Sequence, residues 1–293
     1  MTLYAKQLLP HLTDIHALSP RQDNSPPESS LSLWQLPEKK LTCFYAPFEH
    51  VNTNAKLIIV GITPGRTQMN RSLNALNQAT ANGQPVEQAL KLVKQTASLS
   101  GAMRPRLVEM LNRLGYAKKL GIRCCSSLWS EHHHLVHFCS VLKYPIFVNG
   151  KDYCGQPKCF NVPNLQALLF DQFVKDVQSI NSEASILPLG EMVADVLTQL
   201  AQTGHITHSL PRFENQVVSP PHPSGANAES ISLLLMDHYP SLSEYQDAMY
   251  HQYLNKQGWL KKKSGQPQDE TKYKKARAAR WYAISRVRQA YKL

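Results

Sequence analysis

The chain has 293 residues, of which 42% are hydrophobic, and its formal net charge is +11. It is long enough to bury one sizeable core and an appended segment. No apolar stretch approaches the roughly 20 residues that a membrane-spanning helix needs, so we expect no membrane partner.

The amino terminus and the cysteines bear on the cellular compartment. Residues 1–6 do not begin the long apolar core of a signal peptide. The six cysteines of an unsignalled chain of this size are expected to be reduced thiols. Together these features predict a cytoplasmic protein.

The positive charge is concentrated in one segment. Residues 256–293 contain twelve Lys and Arg against Asp269 and Glu270, and so carry nearly all of the net charge. A basic segment of this kind is typical of a contact with a phosphate backbone or of an interaction tail. A solvated helix face explains it equally well.

Hydrophobic spacing and turn residues predict the elements in chain order. The first half contains a helix, an exposed linker, a strand and further helices, over 3–18, 19–30, 56–60, 71–98 (interrupted near Asn82 and Gly83) and 106–114. The region 120–163 is harder to assign, with candidate strands at 121–125 and 141–148. The second half alternates helix and strand, over 164–180, 185–190, 191–200, 217–219 and 228–236.

A last helix is predicted over 271–293. Apolar residues lie near one of its faces, where they can dock it to the body: Tyr273, Ala276, Trp281, Ile284, Val287 and Tyr291. The alternation of strands and helices before it predicts an α/β fold, a parallel sheet with helices on both faces.

Two β-branched runs end abruptly in loops rich in glycine and proline. The loops are Gly61-Ile62-Thr63-Pro64-Gly65 and His222-Pro223-Ser224-Gly225-Ala226-Asn227. Proline has no amide hydrogen for a strand ladder and glycine weakens a strand, so both are typical of the place where a strand ends. Parallel strands meet with their carboxyl ends at one edge of a sheet, where ligands bind, so we expect the two loops to lie side by side and to form a site.

In this order and at this separation, the two loops resemble those of the uracil-DNA glycosylase superfamily. Its members carry a loop with the pattern Gly-x-x-Pro-(Gly or Tyr) after the first strand and a His-Pro-Ser loop after the last, and the resemblance spans residues 55–250. It implies a three-layer α/β/α fold around a central, mainly parallel four-stranded sheet. The expected organisation is an N-terminal helix and linker packed on the core (1–55), a glycosylase-like domain (56–255) and a basic helical extension (256–293).

The resemblance implies a monofunctional DNA glycosylase that acts as a monomer without a cofactor. Such an enzyme hydrolyses the N-glycosidic bond of a flipped-out pyrimidine and leaves an abasic site. His222 is suited to donate a hydrogen bond to the base carbonyl as negative charge develops there. Thr63 takes the position that usually carries Asp or Asn and orients the attacking water; a hydroxyl can position water but cannot act as a carboxylate base. Gln68 or Asp152 are candidates to assist.

The other loop residues are expected to contact the base and the DNA. They are Gly61, Ile62, Pro64, Gly65, Pro223, Ser224, Gly225, Ala226 and Asn227. Ser224 and Gly225 are placed to hold a phosphate, or simply to cap a helix. Asn227 either bonds the phosphodiester or completes the turn.

Asn149 is a candidate to recognise the base, because its amide offers a donor and an acceptor together. The competing interpretation is that Asn149-Gly150 forms a tight turn. Tyr144 or Phe147 would stack on the base or, as such residues more often do, belong to the core.

Ala226 also departs from the family, which often has a bulky residue there to fill the gap left by the flipped base. Together with Thr63 and the long insert at 120–163, it favours a modified or non-standard base, such as the hypermodified cytosine of phage DNA, over plain uracil. The role would then be antiviral defence rather than ordinary DNA repair.

Metal binding has weak support in the sequence. The cysteines include no Cys-x-x-Cys pair, which argues against an iron-sulphur cluster. The run 132–134 of three histidines, with Cys139, leaves a zinc site open.

Three alternatives to this function remain. One is a non-catalytic DNA-binding protein that keeps the glycosylase fold, and another is a conventional uracil-excising repair enzyme. The third is a small-molecule nucleotide enzyme of the doubly wound type, but Gly61–Gly65 is not the Gly-x-Gly-x-x-Gly loop that such an enzyme carries.

Overall fold

The computed structural model of the chain describes residues 3–260 and 270–293, so the part of the predicted basic extension between 261 and 269 lies outside the described residues. The helices are α1 (Leu3–His16), α2 (Arg66–Ala81), α3 (Val86–Ala97), α4 (Met103–Arg113), α5 (Tyr116–Leu120), α6 (Pro163–Leu168), α7 (Lys175–Gln178), α8 (Glu191–Gln202), α9 (Ala228–Leu235), α10 (Leu242–Leu260) and α11 (Glu270–Ala290). A π-helical turn, Leu169–Val174, joins α6 to α7. The strands are β1 (Ser32–Leu36), β2 (Leu41–Phe44), β3 (Leu57–Gly61), β4 (Val136–Ser140), β5 (Ile146–Val148), β6 (Lys151–Asp152), β7 (Ser185–Pro188), β8 (Arg212–Phe213) and β9 (Gln216–Val217).

Strand β3 is the centre of a parallel sheet with the order β4-β3-β7. Its side chains alternate between two hydrophobic clusters: Ile58 and Val60 belong to one, Leu57 and Ile59 to the other, and all four are fully buried. A strand covered on both faces needs an uninterrupted apolar sequence. The prediction of a mixed α/β fold with a parallel sheet is therefore confirmed, and the β3 sequence shows why.

The described residues form three paired parallel strands rather than the predicted four. Beyond β7, the chain makes a single parallel bridge, Ser185 to Ser209, and Gly190 donates a hydrogen bond to the Pro220 carbonyl at 3.1 Å. Between these two points the chain turns away into the β8–β9 hairpin. Pro211, Pro220 and Pro221 have no amide hydrogen to give to a strand ladder, so a regular fourth strand cannot form here.

A second sheet is antiparallel and has the order β1-β2-β5-β6. It pairs residues before position 45 with the end of the run 141–148, of which Ile146–Val148 alone is a strand. The sequence analysis did not predict β1, β2 or β4. It also proposed a strand at 121–125, which is wrong, because a 3₁₀ helix begins at Cys125.

Helix α11 packs on the body as the apolar stripe predicted. Tyr273, Ile284 and Val287 are buried, whereas Ala276 is exposed. The Tyr291 hydroxyl lies 3.0 Å from that of Tyr116 in α5. This segment is thus part of the second hydrophobic cluster, and within the described ranges no helix is both long and apolar enough to cross a membrane.

The packing of α11 gives a first prediction. Ile284→Ala removes a side chain that is 3% exposed, and we expect it to lower the free energy of unfolding by about 2–5 kcal/mol. Tyr282→Ala, on the same helix at 55% exposure, should change it by less than about 0.5 kcal/mol. Urea titration followed by circular dichroism measures both. Equal effects would mean that α11 does not depend on this face for docking.

Candidate functional site

The two predicted loops do lie together, at the carboxyl end of the parallel strands. Gly61 ends β3 and the Ile62–Gly65 segment leads into α2, while His222–Asn227 leads into α9. Both segments border one groove of about 750 Å³, to which Ile62, Thr63, Gly65, His222, Ser224 and Asn227 contribute. The loops are not on adjacent strands, because β7 lies between them and contributes the start of α8 to the same groove.

The groove has further walls. One is Asp152 at the end of β6, which the sequence analysis named as a candidate. Sequence reasoning missed the others, which lie at the start of α8 and on one face of α11: Gly190, Glu191, Met192, Arg280 and Ala283. Glu229 of α9 holds the α11 wall, with ion pairs of 2.5 Å to Arg280 and 3.2 Å to Arg277. The basic extension is therefore a wall of the site as well as part of the core.

His222 is fixed in orientation and in tautomer. The backbone N–H of Ser224 donates to its Nδ1 at 3.3 Å, so Nδ1 must be unprotonated and the neutral ring carries its hydrogen on Nε2. Burial lowers the pKa of His222 below its usual value of 6.5, which keeps the ring neutral at pH 7. Its Cβ lies 3.5 Å from the position that a Cβ on Gly190 would take, and Gly190 has φ +92°. A side chain at 190 would thus be strained and would crowd the histidine.

The His222–Asn227 loop is closed by its own side chains. The Asn227 amide donates to the His222 carbonyl and to Ser224 Oγ, both at 3.1 Å. Of the two interpretations of Asn227, the structure thus shows the turn-completing one. Pro223, Gly225 and Ala226 do not line the groove, and Gly225 and Ala226 are exposed beyond it.

Arg106 of α4 adds a cation beside this loop. Its Nη1 donates to the Pro223 carbonyl at 3.4 Å and lies 3.7 Å from where a Cβ on Gly225 would be. A guanidinium and an exposed glycine-containing turn together form a surface that suits a phosphate. Nothing in the sequence marks Arg106, since 117 residues separate it from its loop partner.

The Thr63 hydroxyl is already engaged in two hydrogen bonds. It donates its proton to the Tyr144 carbonyl at 2.9 Å and accepts one from the Ile146 amide at 3.3 Å. It has no second proton to give to a water, although one lone pair can still accept. Thr63 therefore ties the end of β3 to the start of β5.

Asp152 brings a carboxylate to the start of α2. Its Oδ1 accepts from the Arg66 amide at 3.2 Å, and its Oδ2 lies 2.8 Å from the position of a Cβ on Gly65. A side chain at 65 would therefore displace this carboxylate from its present position. Asp152 and Thr63 line the same groove, so the structure places an acid where the loop itself lacks one.

A smaller cavity of about 40 Å³ adjoins the groove, and we call it the lysine cavity. Ile62, Thr63, Gln68 and His222 border both spaces. The residues that line it but not the groove include Phe48, Lys94, Phe138, Ser140, Lys143 and Asp176. Gln68 is buried, and its side chain has no hydrogen-bond partner within residues 3–260 and 270–293. It thus presents an unpaired amide to both spaces.

Asn149 does not reach the groove or the lysine cavity. Asn149 (φ +50°) and Gly150 (φ +70°) form the tight turn between β5 and β6. The backbone N–H of Asn149 donates to the Lys40 carbonyl at 3.0 Å. Asn followed by Gly is favoured where two successive residues need positive φ. Tyr144 and Phe147 are buried core residues. Of the two interpretations of Asn149, the structure shows the tight turn.

The histidines and cysteines between 124 and 159 are not gathered for metal binding. Over the described ranges, no group of three or more His, Cys, Asp or Glu side chains is arranged to hold an ion. His132 and His134 have ring centroids 6.1 Å apart, and Cys139 lines the lysine cavity instead.

Most cations on α11 are paired within the protein. Lys274 pairs with Asp247 and Glu270 at 2.6 and 2.8 Å, and Arg286 donates to Gln216. Arg288 is buried and donates to two backbone carbonyls. Among the described side chains, this pairing favours a structural role for the segment over a general phosphate-binding tail.

Comparison with known proteins finds a relative of unknown activity. The uncharacterized protein YoxB of Bacillus subtilis strain 168 is 33% identical to the chain over 198 residues, which are 66% of this chain and 75% of YoxB. No protein-family model matches the chain. No solved structure matches it either.

The bonds of Thr63 give a second prediction. Thr63→Val keeps the branched shape but leaves the Tyr144 carbonyl and the Ile146 amide unpaired, and we expect a loss of about 1–3 kcal/mol in the free energy of unfolding. Thr63→Ser keeps the hydroxyl and should lose less. Chemical denaturation of the two variants is the measurement, and a Val variant as stable as the Ser variant would contradict this role.

Proposed function

The chain belongs to the same family as the Bacillus subtilis protein YoxB, and within that family we propose that it acts as a DNA glycosylase with a uracil-DNA glycosylase-like fold. It hydrolyses the N-glycosidic bond of a flipped-out pyrimidine and leaves an abasic site. One observation carries the proposal. The loops Gly61–Gly65 and His222–Asn227 are 157 positions apart in the chain at their nearest ends, yet they border one groove. His222 is held in this groove as a neutral N–H donor.

The reaction sets the requirements for the site. The bond between the sugar C1′ and the base nitrogen breaks, and its electron pair leaves with the base. A water oxygen then bonds to C1′, one water proton is released, and the base takes up a proton. Positive charge on the sugar and negative charge on the base develop together, as in related glycoside hydrolysis.

His222 supports departure of the base. Its Nε2–H can donate to a carbonyl oxygen of the base as that oxygen becomes negative, because Ser224 occupies Nδ1. A neutral donor also avoids losing a proton to the base before the bond breaks. The lowered pKa of His222 favours this form across the neutral range.

Water is positioned by several groups rather than by one strong base. Thr63 can accept a hydrogen bond from the water, while its own hydroxyl proton is donated to the Tyr144 carbonyl. Asp152 and Gln68 border the same groove and supply a carboxylate and an amide. In a dissociative transition state the nucleophile contributes little, so orientation suffices.

The DNA strand would pass over the exposed turn at Gly225 and Ala226. Arg106 and the Ser224 hydroxyl are placed to hold a phosphate beside the groove. Ala226 presents only a methyl group there, which cannot replace a base in the stack. We infer a substrate whose base pair is weakened or heavily modified, and favour a modified pyrimidine such as hypermodified phage cytosine, removed in antiviral defence.

A non-catalytic DNA-binding protein is the second candidate. It is favoured because the Thr63 hydroxyl already donates its proton to the Tyr144 carbonyl and so cannot donate it to a water. A panel of DNAs separates the candidates: uracil-containing duplex and single strand, and phage DNA with glucosylated hydroxymethylcytosine, each scored for abasic sites. Abasic sites in the phage DNA alone support the proposal. Abasic sites in uracil DNA alone indicate a conventional repair enzyme, and binding without abasic sites indicates the non-catalytic protein.

His222 provides a third prediction. His222→Ala should lower base release by about 10² or more, as removal of one preorganised donor does in other enzymes, and leave DNA affinity largely unchanged. His222→Gln keeps an N–H donor near the Nε2 position and should lose less. Single-turnover rates and binding isotherms measure the two effects, and normal excision by the Ala variant would reduce His222 to a turn residue.

Arg106 provides a fourth prediction. If it meets a phosphate, Arg106→Ala should weaken binding to every DNA sequence alike and reduce the slope of log affinity against log salt by about 1. Arg113→Ala is the matched control, since Arg113 lies on the same helix but pairs with Asp237 at 2.7 Å. An unchanged slope for Arg106→Ala would remove Arg106 from the DNA interface.

A further inference from the structure

The lysine cavity contains charged groups that the steps above do not use. Lys94 and Lys143 are 5% and 6% exposed, and they come from α3 and from the segment after β4. Buried ammonium groups are rare and costly unless something compensates them. Two of them beside Thr63 and His222 therefore require an explanation.

The two lysines are compensated differently. Lys143 forms an ion pair of 2.6 Å with Asp176 of α7. Lys94 donates to the neutral Phe138 carbonyl at 2.8 Å, and no carboxylate in the described structure pairs with it. An ammonium has three N–H groups, so Lys94 keeps donors at the cavity wall. Its Nζ also lies 5.7 Å from the centroid of the Phe48 ring, and Asp176 and Glu49 attract it from a distance without pairing with it.

We propose that the lysine cavity is an anion subsite, which receives the carbonyl edge of the departing base and stabilises it through the charge of Lys94. The inference rests on the proposed glycosylase activity and adds which part of the departing base the site stabilises, namely its carbonyl edge. The cavity volume of about 40 Å³ suits this role, because a cavity of about 10–15 Å³ already holds one water-sized group. A carbonyl oxygen fits there while the ring stays in the groove.

Charge stabilisation is effective in this position. When the bond to C1′ breaks, its electron pair spreads onto the base carbonyl oxygens. The positive charge of an ammonium group that is already fixed in a buried position stabilises them with little reorganisation of solvent. His222 supplies a hydrogen bond at the mouth of the cavity and Lys94 supplies the charge at its wall. The arrangement makes the base a better leaving group, which offsets the weak activation of water by Thr63.

The surroundings of Lys94 set its pH range. The titratable groups near it are Glu49, His50, Lys91, His133, His137, Cys139, Lys143 and Asp176. Burial is the main cause that lowers the pKa of Lys94, to about 8, and the neighbouring carboxylates oppose this. The ammonium form, and with it the stabilisation of the base, is present below about pH 8 and lost above it.

The test compares bases that leave with different ease. Single-turnover rates are measured for the full-length wild type, Lys94→Met, Lys94→Arg and Lys91→Met, on oligonucleotides that carry the excised base and two analogues of it, one with a more acidic and one with a less acidic glycosidic nitrogen. Lys91 is the control, since it is exposed and lies one turn earlier on α3. Rate ratios between bases, taken within one variant, do not depend on how much of that variant is folded.

We expect Lys94→Met to lose about 10² in rate on the poorest leaving group and clearly less on the best one. Its rates should depend more steeply on base acidity than those of wild type, Lys94→Arg and Lys91→Met. Equal losses on all three bases would make Lys94 a structural residue and overturn the inference while the glycosylase activity stands. If the wild type releases no base from any DNA, the proposed function itself fails, and the inference with it.

Discussion

The parallel pairing of β3 with β4 and β7 is the constraint on which the site depends. The register sets Gly61 opposite Ser140, and Val60 opposite Pro188, so three strands end at one level. Hydrophobic clusters on both faces keep this arrangement in place. The loop that bears Thr63, the segment that bears Lys143 and the start of α8 all follow directly from these ends, and their side chains meet without long connections.

Some of the buried side chains are polar or charged, and burying them opposes folding. Glu49 is fully buried, accepts from the Tyr144 hydroxyl at 3.1 Å, and burial raises its pKa to about 7. Near it lie the Lys143–Asp176 pair and Lys94. Replacing such a cluster by apolar residues often stabilises a protein. A polar cluster of this kind behind a groove is the pattern expected of a site whose groups are held in position at a cost in folding stability.

The sequence predicted β3, the two loops and their meeting, because unbroken apolar runs and their glycine and proline ends are local signals. It did not predict β4, whose His137 and Cys139 interrupt the apolar pattern, although both are packed inside. Lys94 gives the pattern of a surface residue on an amphipathic helix and is nevertheless buried. For β4 and Lys94 the deciding contacts are with residues far away in the chain, which local spacing cannot encode. Asn149 is the opposite case, because the local Asn-Gly pair already offered the turn in which it lies.

The position of α11 in the chain determines when, during synthesis, the groove obtains all of its walls. The loop at 61–65 is synthesised early, whereas Arg280 and Ala283, which close the groove, follow more than 200 residues later. The ion pairs of Glu229 with Arg277 and Arg280 also form only after these two arginines have been synthesised. A nascent chain, or one cut before Glu270, has the loops but an open groove and an unbalanced carboxylate beside them. The groove therefore acquires its last wall only when α11 packs.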